Sequence, residues 1–214
     1  MKALLLSPEL FLHEGGIARI MRLYLKALCE IAAPAGRVDS IVLNDNPGPE
    51  PRLPRYTNDR FGENIGCGRS KLRFLRESVR LGRRADVLVC GHLHQLVIAW
   101  LAAKFNSRLK YYLVAHGIEV WRPYRPLERR ALLGAHRILC ISEYTRRQML
   151  RFCPELQPDR LLVVPNTMDP HFAPELNDRL SAAPFAMPCI LTVGRLSAAD
   201  TYKGFDTLIE ARSE

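Results

Sequence analysis

The centre of this sequence is the stretch Tyr111-Tyr112-Leu113-Val114-Ala115-His116-Gly117-Ile118-Glu119-Val120-Trp121. Its apolar first part predicts a buried parallel strand, and a histidine, a glycine and a carboxylate follow at the carboxyl end of that strand. Open α/β sheets bind their ligands at the carboxyl ends of their strands. His116, Gly117 and Glu119 are therefore candidates for a chemical centre. The alternative is a strand-to-loop turn whose histidine caps a neighbouring group.

Strand and helix patterns alternate from the first residues to about residue 170. The predicted strands are residues 2–6, 38–43, 86–90, 111–114, 136–141 and 160–164, and the predicted helices are 17–31, 70–84, 96–105, 127–133 and one that starts at 142. In the first helix, apolar residues from Ile17 to Ile31 recur at helical spacing and predict one buried stripe. Residues 46–58 carry several prolines and are predicted to form a loop. We therefore expect an α/β, Rossmann-like doubly wound domain with a mainly parallel sheet over residues 1–170.

Further candidate residues follow other predicted strands. Gly15 and Gly16 precede the first helix, where glycines let a ligand approach the backbone at the positive helix end; a tight turn is the alternative. His92 follows the strand 86–90 in a His-x-His sequence that no carboxylate or thiol cluster accompanies. We therefore expect His92 to touch substrate beside the cleft rather than to bind a metal. Ser142 and Thr145 begin a helix, and they are predicted either to cap it only or also to bind substrate.

The chain is basic, with 31 lysines and arginines against 22 acidic residues and a formal net charge of +9. This balance suits an anionic partner such as nucleic acid, a lipid surface or a phosphorylated metabolite. The predicted helix 70–84 places a stripe of basic residues on one side, at Arg69, Arg73, Arg76, Arg80 and Arg83. Such a stripe can lie on an anionic membrane, or it can be the solvated face of a helix that packs on the core.

Composition disfavours several other classes of protein. An apolar content of 48% and a charged content of 25% are values typical of globular domains. No run of about 18 apolar residues predicts a membrane-spanning helix, and the apolar start is shorter than a signal peptide. The six cysteines are scattered, which predicts buried thiols in a reducing cytoplasm rather than disulfides or zinc ligands. Nucleic acid is a disfavoured partner, because aromatic residues do not interleave with the basic stripe.

A polar, proline-bearing segment over residues 171–187 predicts a linker to a second domain. In residues 188–214, Ile190 to Val193 predict a strand and Phe205 to Ala211 predict a short helix. One strand and one short helix cannot bury a core. Residues 188–214 are therefore expected to be the truncated start of a larger domain.

Five short motifs follow one another along nearly the whole chain. They are Gly15-Gly16, His116-Gly117, Ile141-Ser142-Glu143, Val164-Pro165-Asn166 with Asp169, and Val193-Gly194-Arg195-Leu196 with Lys203-Gly204. Each motif is loose, but the ordered set resembles the amino-terminal half of the family 4 glycosyltransferases, which have the GT-B fold. The chain departs from that family at Thr167, where glycine is usual, and it ends before the paired glutamates of the family.

The resemblance implies two Rossmann-like domains with a cleft between them. The amino-terminal domain would mainly bind the acceptor, a glycan or a lipid-linked molecule, and the second domain would bind a nucleotide-diphosphate sugar. By resemblance, the expected catalytic residues are Arg195 and Lys203, which would hold the donor diphosphate, and His116, which would lie by the donor sugar. The expected substrate-binding residues are Gly15, Gly16, His92, Gly117, Glu119, Ser142, Thr145 and Asn166.

The resemblance also implies transfer with retention of anomeric configuration, by front-face attack without a protein nucleophile, a metal or a cofactor. We expect a cytoplasmic protein, attached to the inner face of the cytoplasmic membrane if the arginine stripe binds lipid. Since most of the donor-binding half is missing, we expect the 214-residue chain alone to transfer sugar poorly. Two alternatives stay open: a non-catalytic acceptor-binding module, and a basic Rossmann-like domain that binds nucleic acid.

Overall fold

The computed structural model describes residues 1–170, 190–192 and 204–211, and its first 170 residues alternate strands with helices. The strands are β1 (Lys2–Ser7), β2 (Arg37–Val42), β3 (Phe61–Gly66), β4 (Val87–Cys90), β5 (Lys110–Ala115), β6 (Arg137–Cys140) and β7 (Leu161–Val163). The helices are α1 (Gly16–Ile31), α2 (Lys71–Gly82), α3 (Leu93–Lys104), α4 (Pro126–Gly134), α5 (Glu143–Phe152) and α6 (Phe205–Ala211).

The strands of the described residues form one parallel sheet in the order β3-β2-β1-β4-β5-β6-β7. Strand β1 lies inside the sheet, where Leu4 pairs with Asp39 of β2 on one side and with Leu88 of β4 on the other. The strand order reverses between β1 and β4, which is the mark of a doubly wound fold. The predicted α/β class and the parallel sheet are therefore confirmed. All strands end at the same side of the sheet, called here the carboxyl edge.

Alternating residues of the strands supply two apolar cores, one on each face of the sheet. Leu4 of β1 belongs to the core that contains Phe74 of α2 and Leu96 of α3. Leu5, its neighbour, points to the opposite face and joins the core that contains Met21 of α1. Full burial of one such side chain stabilises a fold by about 1.5–3 kcal/mol. These cores fix the strands, and with them the loops at the carboxyl edge.

One strand of the sheet was not predicted. Phe61–Gly66 forms β3 at the edge of the sheet, where its pairing with β2 contains a register irregularity between Val38 and Ser40. Polar contacts support this pairing: the Ser40 hydroxyl donates to Asn64 Oδ1 at 2.7 Å, and the Glu63 amide donates to Asp39 Oδ1 at 2.9 Å. An edge strand has a solvated side and can carry polar residues. Such a strand lacks the apolar pattern from which buried strands are predicted.

Helix α1 buries part of the predicted stripe, including Met21 and Leu28. Its buried residues are Ala18, Met21, Arg22, Leu25, Leu28 and Cys29. Ile31, predicted to be buried, is 68% exposed at the end of the helix. Arg22 can be buried because its guanidinium has an ionic partner in the fold, described below.

Contacts divide the chain into two units, Met1–Phe172 and Ala173–Glu214. In the second unit the structure describes residues 190–192, which are exposed and not assigned to a strand, and helix α6. The predicted linker over 171–187 and the residues Arg195 and Lys203 lie outside the described residues. None of the described helices is long and apolar enough to cross a membrane. The five cysteines within the described ranges are buried free thiols, as predicted.

Candidate functional site

His116 is fixed at the carboxyl edge by two hydrogen bonds, one from its backbone and one from its imidazole ring. Its backbone N–H donates to Glu119 Oε1 at 2.6 Å, and its ring Nε2 lies 3.0 Å from the carbonyl oxygen of Gly91, which follows the neighbouring strand β4. Because a carbonyl can only accept, Nε2 carries the proton and Nδ1 keeps its lone pair. Burial lowers the pKa of His116, against the opposing effect of the Glu119 carboxylate. The ring is therefore neutral at pH 7 and can accept a hydrogen bond through Nδ1.

The turn after His116 requires a glycine. Gly117 has a φ of +148°, a conformation that L side chains rarely adopt, and a Cβ built there would lie 3.4 Å from the Trp121 ring. The carbonyl of Gly117 accepts from the Val120 amide at 2.9 Å, which closes the turn. Trp121 in turn meets the Tyr144 ring edge-on, with centroids 5.0 Å apart. The loop that holds His116 is thus braced against the start of α5.

His92 is the N-cap residue of α3. Its Nδ1 accepts from the backbone N–H of His94 at 3.2 Å, so the proton of the neutral ring is on Nε2. The predicted helix start at residue 96 is corrected to Leu93, because this cap extends the helix toward the strand. Burial lowers the pKa of His92. His92 directly follows Gly91, so it lies beside the group that holds His116.

Helix α1 begins at the open Gly15–Gly16 loop. Gly15 is the N-cap and supplies no side-chain hydrogen bond, and a Cβ built at Gly16 would meet no atom within 4 Å. The first amide N–H groups of a helix lack partners within the helix and favour an anion. This helix start follows β1, which is next to β4 in the sheet. The loop therefore offers backbone donors at the same edge as His116.

Asp45, which sequence analysis did not single out, holds the segment before that loop. Its buried carboxylate accepts from the backbone N–H groups of Leu10, Phe11 and Leu12 at 3.0–3.3 Å. Asp45 lies three residues beyond the end of β2. The rule that polar residues after strand ends shape the site, which singled out His92, could also have found it.

A cluster around Arg22 adjoins Gly15. The guanidinium makes a two-point pair with Glu14 and lies over the rings of Phe11 and Tyr56, at 5.5 and 5.6 Å from their centroids. Arg52 donates to the Phe11 carbonyl at 2.6 Å and also reaches Glu14. Arg22 is the first cause of a Glu14 pKa of about 2. The cluster keeps the residue before the glycine loop charged and in place.

Ser142 and Thr145 form the N-terminal cap of α5, after β6. The Ser142 hydroxyl accepts from the Thr145 amide at 3.1 Å and donates to the Thr145 hydroxyl at 3.2 Å. Thr145 is fully buried, whereas Ser142 is only partly buried. The predicted cap is present, and of the two residues Ser142 has the more accessible hydroxyl.

Asn166 lies in an exposed segment that follows β7. The segment leaves the sheet with the Val164 amide donating to the Cys140 carbonyl at 2.8 Å. It ends at Asp169, whose carboxylate accepts from the Tyr56 hydroxyl at 2.6 Å. Tyr56 belongs to the short turn after β2, so the segment connects the two halves of the sheet. Asn166 is exposed within this connection.

The described residues therefore bring most of the predicted site to one edge of the sheet. The residues placed in loops or helix starts at that edge are Gly15, Gly16, His92, His116, Gly117, Glu119, Ser142, Thr145 and Asn166. Glu119 uses one carboxylate oxygen to hold the His116 backbone. In the part of the chain that the structure describes, no group of three or more His, Cys, Asp or Glu residues could hold a metal ion.

Several solved structures have the same fold. Alr3699/HepE of Anabaena in complex with UDP-glucose gives a TM-score of 0.58 at 14% identity, over 79% of this chain and 44% of that one. Its complex with UDP and glucose gives 0.57 at 14% identity, over 79% and 45%. The apo form of the lipopolysaccharide outer core galactosyltransferase WaaB gives 0.50 at 13% identity, over 78% and 46%. The chain thus spans less than half the length of these proteins, and at such identities the likeness shows the fold.

Sequence comparison identifies the family. A search of the curated proteins found no match. Residues 15–172, which include the glycine loop, the His116 turn, the α5 cap and the segment after β7, match the family described as Glycosyltransferase Family 4. This match covers most of the chain and agrees with the doubly wound sheet. The chain belongs to glycosyltransferase family 4.

Proposed function

We propose that this chain is the acceptor-side part of a glycosyltransferase that uses a nucleotide-diphosphate sugar. The observation that carries the proposal is the neutral His116 imidazole, which follows β5 at the same edge of the sheet as the open Gly15–Gly16 loop. That loop follows β1, two strands away in the sheet. Family membership supports a sugar-transfer reaction. UDP-glucose, which Alr3699/HepE binds, is the first donor to test.

In this proposal His116 positions the donor sugar. Its Nε2–H is committed to the Gly91 carbonyl, so Nδ1 is the atom that accepts a hydrogen bond from a sugar hydroxyl. A neutral ring avoids placing a positive charge against the developing positive charge of the transferred sugar. His116 is therefore proposed to orient the donor sugar by a hydrogen bond while its own ring stays uncharged.

The diphosphate is proposed to lie against Arg195 and Lys203, with Gly15–Gly16 approaching the donor phosphates or the acceptor. The bond between the anomeric carbon and the diphosphate breaks, and a bond from that carbon to the acceptor oxygen forms on the same face. The acceptor proton passes to the departing phosphate oxygen. Because the new bond forms on the face that the diphosphate leaves, the configuration is retained. The two cations offset the negative charge that develops on the diphosphate.

The domain organisation and location follow from the same proposal. Residues 1–170 form the acceptor-side domain, 171–187 the linker and 188–214 the start of the donor-binding domain. A glycan or lipid-linked acceptor and a cytoplasmic location fit this assignment. Peripheral attachment to an anionic membrane is proposed through the stripe Arg69, Arg73, Arg76, Arg80 and Arg83. Leu72, 77% exposed on the same helix, adds an apolar group that can enter a lipid surface.

Saturation-transfer NMR tests the donor assignment on the 214-residue chain. The panel is UDP-glucose, UDP-galactose, UDP-N-acetylglucosamine and GDP-mannose. We expect sugar-ring protons of one donor to receive saturation, and His116→Ala to remove that signal. Arg195→Ala and Lys203→Ala should weaken the nucleotide signals. His136→Ala is the matched control, because His136 precedes β6 at the opposite edge of the sheet.

Two results would overturn the proposal. One is the absence of a sugar signal from every donor, and the other is a signal that His116→Ala leaves unchanged. The configuration of a transfer product gives a separate check on stereochemistry. An α-linked product from an α-linked donor supports retention, and a β-linked product contradicts it.

A further inference from the structure

A groove of about 690 Å³ opens at the carboxyl edge beside the candidate site. It lies among the N-terminal ends of α2, α3 and α4, and the end of β2 closes one side. Its walls are mostly apolar and include Leu43, Phe74, Val97, Ile98 and Leu127. Sites for small organic ligands commonly enclose about 300–1,000 Å³ and are lined in this way. The groove has the size of an organic-ligand site, and a single ion would leave most of it empty.

Gln95, on the first turn of α3, is a buried polar group that lines this groove. It is only 4% exposed, and neither its Oε1 nor its Nε2 has a hydrogen-bond partner. A buried amide without partners is costly, and native structures rarely keep one without a reason. Because Gln95 lines the groove, a rotation of its side chain toward the groove would let a bound ligand supply the missing partners.

The polar rim of the groove favours an anion. Lys71 and Arg125 line it, and three helices direct their positive N-terminal ends toward it. The carboxylate in the lining, Glu128, is already paired with Arg122 at 2.8 Å and accepts from the Arg125 amide at 2.9 Å. Its charge is thus balanced within the fold. The remaining cations are available to a negatively charged group.

We propose that this groove binds the acceptor, and that the acceptor is a lipid-linked phosphate. Its apolar chain would lie against Phe74, Ile98 and Leu127, and its phosphate would meet Lys71 and Arg125. The amide of Gln95 would pair with oxygen atoms of the head group. Charge complementarity and apolar walls together select this class over a free glycan, which has neither a long apolar part nor a phosphate. The inference rests on the proposed function and assigns the class of its acceptor.

Binding of farnesyl phosphate to the 214-residue chain, below its micelle concentration, tests the assignment. Isothermal titration calorimetry compares it with farnesol and with inorganic phosphate. We expect saturable binding of farnesyl phosphate, about tenfold or more weaker binding of farnesol, and no saturable binding of phosphate alone. This order is the one expected if the chain and the head group both contribute.

Variants separate the two contributions. The double substitution Lys71→Gln and Arg125→Gln should weaken farnesyl phosphate about tenfold and leave farnesol unchanged. Leu127→Asp should weaken both ligands while keeping α4 intact, since an acidic residue is favoured in the first turn of a helix. Gln95→Leu should weaken farnesyl phosphate yet raise the Tm of the free protein, because it removes buried polar atoms that lack partners.

The matched control is Lys104→Gln with Arg130→Gln, which removes the same charge from α3 and α4 away from the groove. It should bind farnesyl phosphate as the wild type does. Equal weakening by this control, equal binding of farnesol and farnesyl phosphate, or no binding of either lipid would overturn the assignment. Donor signals from UDP-sugars do not involve the groove. If farnesyl phosphate does not bind but the donor still gives a sugar signal that depends on His116, the proposed acceptor class is wrong and the proposed function stands.

Discussion

Arg22 and Glu14 form a two-point ion pair in which Nη1 lies 3.0 Å from Oε1 and Nη2 lies 2.7 Å from Oε2. The Arg22 side chain is 5% exposed, so its charge depends on this partner for compensation. Glu14 directly precedes Gly15, the N-cap of α1. The pair therefore joins the interior of the helix to the loop proposed to meet the substrate.

Removal of the Glu14 charge should destabilise the fold. We expect Glu14→Gln to lower the free energy of unfolding by about 2 kcal/mol, because Arg22 would stay buried without compensation, while the exposure of Glu14 reduces the effect. Urea denaturation measures the change. The control Glu30→Gln breaks the exposed pair with Lys26 and should cost less than about 0.5 kcal/mol. Equal costs for the two variants would contradict this account.

The same pair should make the free energy of unfolding depend on pH in the acid range. The pKa of Glu14 is about 2 in the fold against an ordinary value of 4.5, so the folded state binds fewer protons than the unfolded state between these values. The stability from the pair is therefore present above about pH 4.5 and is lost as the pH falls toward 2. Urea denaturation from pH 5 to pH 2.5 should show a smaller decrease in stability for Glu14→Gln than for the wild type. An identical decrease in both proteins would contradict the prediction.

Asp45 should determine the order of the loop before α1. Asp45→Asn replaces one accepting oxygen by an NH₂ group that faces the amides of residues 10–12, and we expect a loss of about 2 kcal/mol. Hydrogen exchange at those three amides should accelerate more than exchange in the core strands. Asp59→Asn serves as the control, because the Asp59 side chain is exposed. Unchanged exchange at residues 10–12 in Asp45→Asn would refute the role.

Histidine protonation should weaken the fold between pH 7 and pH 5. Burial lowers the pKa values of His116 and His92 below 6.5, so the unfolded chain binds more protons over this range. The free energy of unfolding should therefore fall as the pH falls from about 6.5. His116→Gln should reduce that slope, and the double substitution with His92→Gln should reduce it further. A wild-type slope in the double variant would show that these rings are not the source.

Ser142 allows capping and substrate binding to be separated. Ser142→Ala should cost about 1 kcal/mol, whereas Ser142→Asp should keep the stability because aspartate is an equally good N-cap. If Ser142 also touches the donor, Ser142→Asp should still lose the sugar signal in saturation-transfer NMR. The same substitutions at Ser70, the N-cap of α2, are the control. An unchanged sugar signal in Ser142→Asp would leave capping as the only role.

The arginine stripe should bring the protein to anionic vesicles. Each basic residue near an anionic surface contributes about 1 kcal/mol, although Glu77 pairs with Arg76 and Arg80 and reduces the total here. Flotation with vesicles rich in phosphatidylserine should recover the wild type, and replacement of the stripe by glutamine should prevent this. The prediction is wrong if the protein floats equally well with neutral vesicles, or if replacement of the stripe leaves its recovery unchanged.

The sequence predicted the parts of the fold that local periodicity encodes. The apolar strands, the glycine before α1 and the Ser142 cap all follow from residue patterns within a few positions. Strand β3 did not, because Glu63 and Asn64 pair with β2 through polar contacts at the sheet edge. Its position depends on contacts with β2, which lies some twenty residues earlier in the chain.

Site residues that directly follow a strand could be predicted from the sequence. Contacts between segments that are far apart in the chain could not. His92 and His116 follow strand ends, so the sequence places them at one edge. The hydrogen bond from His116 to the Gly91 carbonyl joins residues 25 positions apart, and the Tyr56–Asp169 contact joins residues 113 positions apart. The groove around Gln95 needs three helices to be in place. Such features depend on tertiary packing rather than on the local sequence.

The internal position of β1 also sets an order for synthesis on the ribosome. β1 is made before β4, and this neighbour, Val87–Cys90, follows more than eighty residues later. At about 5–20 residues per second, Leu4, Leu5 and Leu6 wait for roughly 4–17 s with one side unpaired. The hydrogen bond from the Tyr56 hydroxyl to the Asp169 carboxylate can form only later, after residue 169 has been made. The nascent β1 is thus expected to need protection by a ribosome-bound chaperone until residue 90 has emerged.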